Sequence, residues 1–151
     1  MDEKEFWRII GLFNWKRTGD DDAVLKPAVR ELAKASLKDI EAFEEILCQK
    51  LYALDTVAHA RQIGSDAYVD DKHYFSVDVF LYARCCVVAN GEEFYEAVLS
   101  KPTEFPKDME FEALLELAST AYELNSGKSP AFFDTSVSYE TFSNQGGWAA
   151  A

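Results

Sequence analysis

Basic residues are scarce in this chain, and their scarcity argues against one large class of partners. The 151 residues include 15 Lys and Arg against 27 Asp and Glu, which gives a formal net charge of −12. Proteins that bind nucleic acids draw much of their affinity from clustered Lys and Arg that contact phosphates. We therefore expect no nucleic-acid partner.

Cysteine and histidine are also sparse. The three cysteines are odd in number, and Cys85 and Cys86 are adjacent in an apolar stretch, so with Cys48 they predict small buried side chains in a reducing compartment. The two histidines, His59 and His73, have no Cys or His at metal-ligand spacing. We expect no disulfide framework, no metal site and no cofactor.

Long apolar runs and targeting signals are missing too. The longest near-apolar run, residues 77–89, is interrupted by Asp78 and Arg84 and is much shorter than the roughly 20 residues of a membrane helix. The chain opens with acidic residues, where a secretory signal has a basic start and an apolar run. These features predict a cytoplasmic protein that does not contact a membrane.

Motifs that mark catalytic sites do not occur in the sequence. It contains no glycine-rich phosphate loop, no Gly-x-Ser-x-Gly elbow and no His-Glu-x-x-His pair. No catalytic residue is therefore assigned. The sequence leaves enzymatic activity open but favours a role without catalysis.

The apolar residues follow helical spacing through most of the chain. Their proportion, 48% with 14% aromatic residues, is sufficient for one buried core. We predict one all-α domain over residues 1–151, a compact bundle of six or seven helices with a helical core at 1–128. Helices are expected near residues 6–13, 25–32, 40–54, 55–64, 79–89, 92–99 and 111–127, with a loop at 65–75. Pro27 is compatible with its helix only in the first turn.

Residues 129–151, here called the tail, have no helical period. They include five aromatic residues among Ser, Thr and Gly. Because disordered segments are usually poor in aromatic residues, we expect the tail to pack irregularly on the helices. Its stretch 139–144, followed by Gly146, Gly147 and Trp148, is either a binding loop or a segment that satisfies its own backbone.

An arginine in the middle of an apolar helix is the most informative single residue. Arg84 needs a partner once it is buried, and Asp55, Glu140 and Asp134 are possible acids. One interpretation is structural: Arg84 ties the tail or a neighbouring helix to the core. The other is a polar pocket that binds an anionic ligand, and its candidate residues are Asp55, Asp78, Tyr82, Arg84 and Glu140.

The acidic excess is concentrated in the second half of the chain. Residues 76–151 carry 12 acidic and 4 basic side chains, a net charge of −8. Glu92, Glu93 and Glu96 lie together on one predicted helix and form a candidate face for a basic protein partner. A solvated surface that keeps the protein soluble is the simpler interpretation of the same residues.

Several segments resemble a bacterial family, domain of unknown function 4240. The segments are Glu5-Phe6-Trp7-Arg8-Ile9-Ile10, then Phe43 and Leu47 ahead of Leu51-Tyr52-Ala53-Leu54-Asp55, Asp78-Val79-Phe80-Leu81-Tyr82-Ala83-Arg84, Asn90-Gly91-Glu92-Glu93-Phe94-Tyr95-Glu96, and Pro102. The resemblance extends to about Tyr122 and implies a bacterial cytoplasmic protein without an established activity. Small acidic relatives of this kind are suspected of being immunity proteins in toxin systems.

Three hypotheses about function follow. The first is a protein-binding module, in its specific form an immunity protein that neutralises a basic toxin. The second is a small-molecule-binding or enzymatic domain with the pocket around Arg84. The third is a homo-oligomeric scaffold or regulatory subunit. The sequence does not decide the oligomeric state.

Overall fold

Polar side chains cap the starts of most helices and fix where they begin. Asp2 accepts a hydrogen bond from the amide of Glu5, Ser36 accepts one from Asp39, and Ser76 accepts one from Val79. Each cap satisfies an amide that has no partner inside its helix. Since these short polar residues stand directly before apolar repeats, the helix starts are visible in the sequence.

The computed structural model describes residues 1–130 and 132–149. Over those residues the fold is all-α, as predicted, and no strand is present. The eight α-helices are α1 (Glu3–Ile10), α2 (Asp21–Leu32), α3 (Leu37–Ala53), α4 (Val57–Ala60), α5 (Val77–Ala89), α6 (Glu92–Ser100), α7 (Leu117–Ser126) and α8 (Gln145–Trp148). Three short 3-10 helices occur at Trp15–Arg17, Pro102–Glu104 and Glu112–Glu116.

The chain forms two compact units, and the first comprises residues 1–47 and 113–136. In this unit α2 packs against α1 and α7. The rings of Phe6 and Phe43 lie 4.8 Å apart in its core. Asn125 on α7 donates hydrogen bonds to the carbonyls of Ala33 and Ala35, just after α2 ends.

The second unit comprises residues 48–112 and the tail from residue 137 onward. Its helix α5 is buried nearly all round from Phe80 to Ala89 and packs against α6. An apolar sequence without a polar face is what such a helix requires. The three cysteines are all buried, as expected. Burial raises the pKa of the Cys86 thiol.

Four local predictions were wrong in detail. Pro27 lies inside α2 rather than in its first turn, because Asp20 caps a helix that begins earlier than predicted. Helix α4 ends at Ala60 instead of reaching Gly64. The expected last helix begins as a 3-10 segment before α7, although Gly127 ends it in the left-handed conformation. The tail contains the short helix α8.

None of the helices in the described ranges is long and apolar enough to cross a membrane.

Candidate functional site

The most elaborate polar arrangement of the second unit is built on Asp55, which follows α3 and is fully buried. One carboxylate oxygen accepts hydrogen bonds from the amide of Phe142 at 3.2 Å and from the indole N–H of Trp148 at 2.7 Å. The other accepts from the amide of Asn144 at 3.0 Å. A buried charge requires such donors, and here all three come from the tail.

Arg84 on α5 binds the tail as well. Its Nη1 donates to the carbonyls of Leu51 at 3.0 Å and Tyr139 at 2.9 Å, and its Nη2 donates to Thr141 Oγ1 at 3.0 Å. The guanidinium carbon lies 4.6 Å from the centre of the Phe80 ring, within the range of a cation–π contact. Both terminal nitrogens of Arg84 are therefore occupied by protein groups.

The expectation that an acid pairs directly with Arg84 was wrong. Among the described residues Arg84 has no ion pair, and its terminal nitrogens meet carbonyl and hydroxyl oxygens. Burial lowers the pKa of Arg84 to about 10, while the charges of Asp55 and Glu140 act in the opposite direction. The arginine remains charged at neutral pH. The structural interpretation, in which Arg84 ties the tail to the core, agrees with these contacts.

Arg84 and two other side chains also bind the last backbone carbonyl groups of α3. The last carbonyls of a helix have no partner within it. Here Tyr95 Oη donates to the carbonyl of Lys50, Arg84 donates to that of Leu51, and Asn144 Nδ2 donates to that of Tyr52. A cation at this end is further favoured by the helix dipole.

Trp148 is surrounded by aromatic rings. Its ring centre lies 4.5 Å from Phe142, 5.2 Å from Tyr68 and 6.1 Å from both Phe75 and Phe80. Most of these pairs are edge-to-face, the arrangement that aromatic side chains favour. The four neighbouring rings thus pack against the indole, and the Asp55 carboxylate accepts its N–H.

Gly147 lets the tail approach closely at this point. A Cβ atom there would lie 2.7 Å from the carbonyl oxygen of Asp55 and 2.9 Å from Thr56 Cγ2. Its amide donates to Asn144 Oδ1, the side-chain cap of α8.

We call Asp55, Arg84 and the aromatic residues Tyr68, Phe75 and Phe80 the tail groove, and residues 139–148 the tail segment.

The five candidate pocket residues divide into two groups. Asp55 and Arg84 lie together in the tail groove, with exposed Glu140 near enough to act on Arg84 by its charge. Tyr82 is half-buried; burial first, then the charges of Glu112 and of exposed Asp78, raise its pKa.

The candidate acidic face lies on α6. Glu92, Glu93 and Glu96 are all exposed, and none of them forms an ion pair within the described chain. Glu5 of α1 and Glu31 of α2 differ from them, because both contact Arg8. The acidic charge of α6 is therefore not neutralised locally.

Two buried titratable groups were not identified as such from the sequence. His59 is buried: its Nε2–H donates to the carbonyl of Val98 at 3.0 Å, and Nδ1 accepts from the Thr56 hydroxyl at 2.7 Å. Burial lowers its pKa. Burial raises the pKa of Glu44 to about 7. The available signal was spacing, because Glu44 lies four residues after Ile40 on the apolar face of α3.

The first unit contains an open groove of about 800 Å³. Arg17, Lys26 and Arg30 line it together with the acids Asp20 and Glu116. Arg17 and Asp20 form an exposed ion pair at 3.7 Å. This groove could not be predicted from the sequence, since its residues are spread over several elements.

Fold and site together define an all-helical acidic protein in which a buried arginine and a buried aspartate hold the tail segment. The chain belongs to the family described as Protein of unknown function (DUF4240), whose model matches residues 1–124. The resemblance noted from the sequence is thereby confirmed. Comparison with curated proteins and with solved structures gave no match.

Proposed function

We propose that this chain is a protein-binding module that recognises a basic partner through the acidic face of α6, in the cytoplasm of a bacterium. The observation that carries the proposal is the exposure of Glu92, Glu93 and Glu96 without an ion pair in the described residues. A basic partner would supply the missing counter-charge. Complementary charge of this kind mainly speeds association and selects partners.

The same face suits an immunity protein that neutralises a basic toxin. Such a partner must be captured quickly, and electrostatic steering raises association rates at low salt. The net charge of −12 adds to the field of the face. This more specific role rests on charge alone and depends on the protein-binding function.

The contacts of Arg84 make the small-molecule or enzymatic alternative less favourable. A pocket for an anion needs free donors, yet both terminal nitrogens of Arg84 are bonded to protein oxygens. Asp55 likewise has both oxygens occupied by the tail. While the tail segment is in place, the polar groups on which that hypothesis depends are bonded to the chain itself.

A charge-reversal experiment tests the proposal. The tagged protein with Glu92→Lys, Glu93→Lys and Glu96→Lys is compared with wild type in affinity capture from the native lysate, eluted with a salt gradient. We expect a stoichiometric basic protein that elutes at moderate salt from wild type and is retained about tenfold less by the variant.

The matched control carries Asp21→Lys, Asp22→Lys and Glu41→Lys. These residues are exposed, two of them lie in the first turn of α2 as Glu92 and Glu93 do in α6, and the change of net charge is the same. The control should retain the partner. Equal losses in both variants, or no stoichiometric partner with wild type, would contradict the proposal.

A further inference from the structure

The tail groove and its occupant come from different parts of the chain. Asp55, Arg84 and the aromatic residues of the groove lie within residues 1–124, the range that the family model matches, whereas the tail segment lies beyond it. The matched part therefore carries a site whose polar groups are completed by residues outside that match.

The groove presents the groups that a peptide ligand requires. The Asp55 carboxylate accepts two backbone N–H groups, those of Phe142 and Asn144, from positions two residues apart. Arg84 donates to a backbone carbonyl at Tyr139 and to a hydroxyl at Thr141. Main-chain hydrogen bonds combined with one pocket for a large side chain are a general basis of peptide recognition.

Specificity would come from the aromatic pocket and from the neighbouring position, where the ligand backbone lies close to Asp55. Tyr68, Phe75 and Phe80 surround the indole of Trp148, and Asp55 binds its N–H. The preceding position takes only glycine without rearrangement, because a Cβ would lie 2.7 Å from the Asp55 carbonyl oxygen. A ligand with a Gly-Trp pair would fit both features.

Burial differs sharply between the two sides of this contact. Asp55, Phe80 and Arg84 are 0% exposed, whereas every described residue from 137 to 149 is half-buried or exposed. The helix α8 is only four residues long. Segments with few buried apolar contacts open locally at a lower free energy than the core. We therefore expect the tail segment to open locally before the groove residues do.

We propose that the tail groove is a peptide-binding site and that the tail segment is its internal ligand. The external partner is a segment with a hydroxyl residue followed by an aromatic residue, and a Gly-Trp pair further on, as in Thr141, Phe142, Gly147 and Trp148. It binds when the tail segment is released. This site is separate from the acidic face of α6 and does not depend on it.

A labelled peptide corresponding to residues 137–149 tests the proposal on the full chain. The variant Asn144→Ala with Trp148→Ala weakens the tail segment and leaves Asp55 and Arg84 intact. We expect the peptide to bind this variant at least about tenfold more tightly than wild type in fluorescence anisotropy, because the internal segment competes at a high effective concentration. Phe132→Ala, at a position that is 79% exposed, should behave as wild type.

The controls separate specific from general binding. A peptide with Trp148→Ala should bind the double variant at least about tenfold more weakly, since it lacks the indole. Equal binding to wild type and the double variant, or no binding to either, would overturn the proposal. A wild-type dimer that Trp148→Ala cannot form would also overturn it, because a second copy would then be the occupant.

Hydrogen exchange of the unmodified chain provides a measurement that does not depend on a variant folding. The amides of Phe142 and Asn144 should exchange through a local opening that leaves the amides of Val87 and Val88 in α5 protected. If all four exchange only in global unfolding, the tail segment is a permanent part of the core and the proposal fails.

Discussion

At the scale of single residues, Arg84 shows why a buried charge can persist without an ion pair. Three oxygens, from Leu51, Tyr139 and Thr141, receive its N–H groups. A planar guanidinium can donate in several directions at once, whereas an ammonium is a compact point charge. The geometry of the donors therefore matters as much as the charge.

We expect Arg84→Lys to lower the free energy of unfolding by about 2–4 kcal/mol, because a single ammonium cannot reach all three oxygens and leaves buried acceptors unsatisfied. Urea denaturation at pH 7 measures the change. The control is Arg30→Lys at an exposed position of α2, where the change should stay within about 0.5 kcal/mol. Equal effects of the two substitutions would refute this account of Arg84.

The hydrogen bond between Trp148 and Asp55 can be isolated by a double-mutant cycle. Trp148→Phe keeps an aromatic ring but removes the N–H that lies 2.7 Å from the Asp55 carboxylate. We expect it to cost about 1–2 kcal/mol in wild type, the lower part of the range for bonds to charged groups, because the indole is only half-buried. In an Asp55→Asn background the same change should cost clearly less. Additive effects would show that the two groups do not interact.

The sequence revealed part of the tail groove. A mid-helix arginine needs a partner, so Arg84 could be singled out, and Asp55 and Glu140 were reasonable acids. The contacts that matter most, with the carbonyls of Leu51 and Tyr139, could not be predicted, since every residue carries a carbonyl. Contacts between residues far apart in sequence depend on the tertiary fold, which spacing does not specify.

At the scale of elements, α8 is a helix that its own sequence does not favour. Its residues include Gly146 and Gly147, and glycine weakens a helix by about 1 kcal/mol relative to alanine. Contacts elsewhere stabilise it: Asn144 caps its start and Asp55 binds its tryptophan. Tertiary contacts thus stabilise a short helix in a segment whose lack of a helical period predicted none.

The two glycines of α8 form a matched pair for testing this account. Gly147→Ala should lower the free energy of unfolding by about 1–3 kcal/mol, because its Cβ would meet the carbonyl oxygen of Asp55 at 2.7 Å. At Gly146 a Cβ meets only Asn144 Oδ1, at 3.8 Å, so Gly146→Ala should be neutral or slightly stabilising. Thermal unfolding of both variants measures the difference, and a reversed order would contradict it.

Helix caps and continuous apolar runs were the features most easily recognised in the sequence. Ser36 and Ser76 each precede a helix that was predicted, and α5 ends at Ala89, directly before Asn90 and Gly91. A predicted helix boundary was wrong at Pro27. Proline was expected only in the first turn, but α2 accommodates Pro27 in its second turn. Local signals fix the start of a helix better than they fix its extent.

At the scale of the whole molecule, two buried groups, one in each unit, respond to pH in opposite directions. Glu44 belongs to the first unit, where burial raises its pKa from 4.5 to about 7. His59 belongs to the second, where burial lowers its pKa below 6.5. A raised carboxyl pKa means that stability is lost as the pH rises, and a lowered histidine pKa means that it is lost as the pH falls.

The sign for Glu44 sets the expected effect of removing its charge. Its contribution is complete below about pH 4.5 and is lost as the pH rises through about 7, since the folded state must then hold a buried carboxylate. We expect Glu44→Gln to stabilise the protein at pH 8 by about 1–3 kcal/mol, at roughly 1.4 kcal/mol per pKa unit with a deduction for burying the amide. At pH 4.5 the variant should gain nothing. Urea denaturation at both values measures the difference, with Glu41→Gln, exposed on the same helix, as the control. A gain at pH 8 that persists at pH 4.5 would show that packing around residue 44, and not its charge, limits stability there.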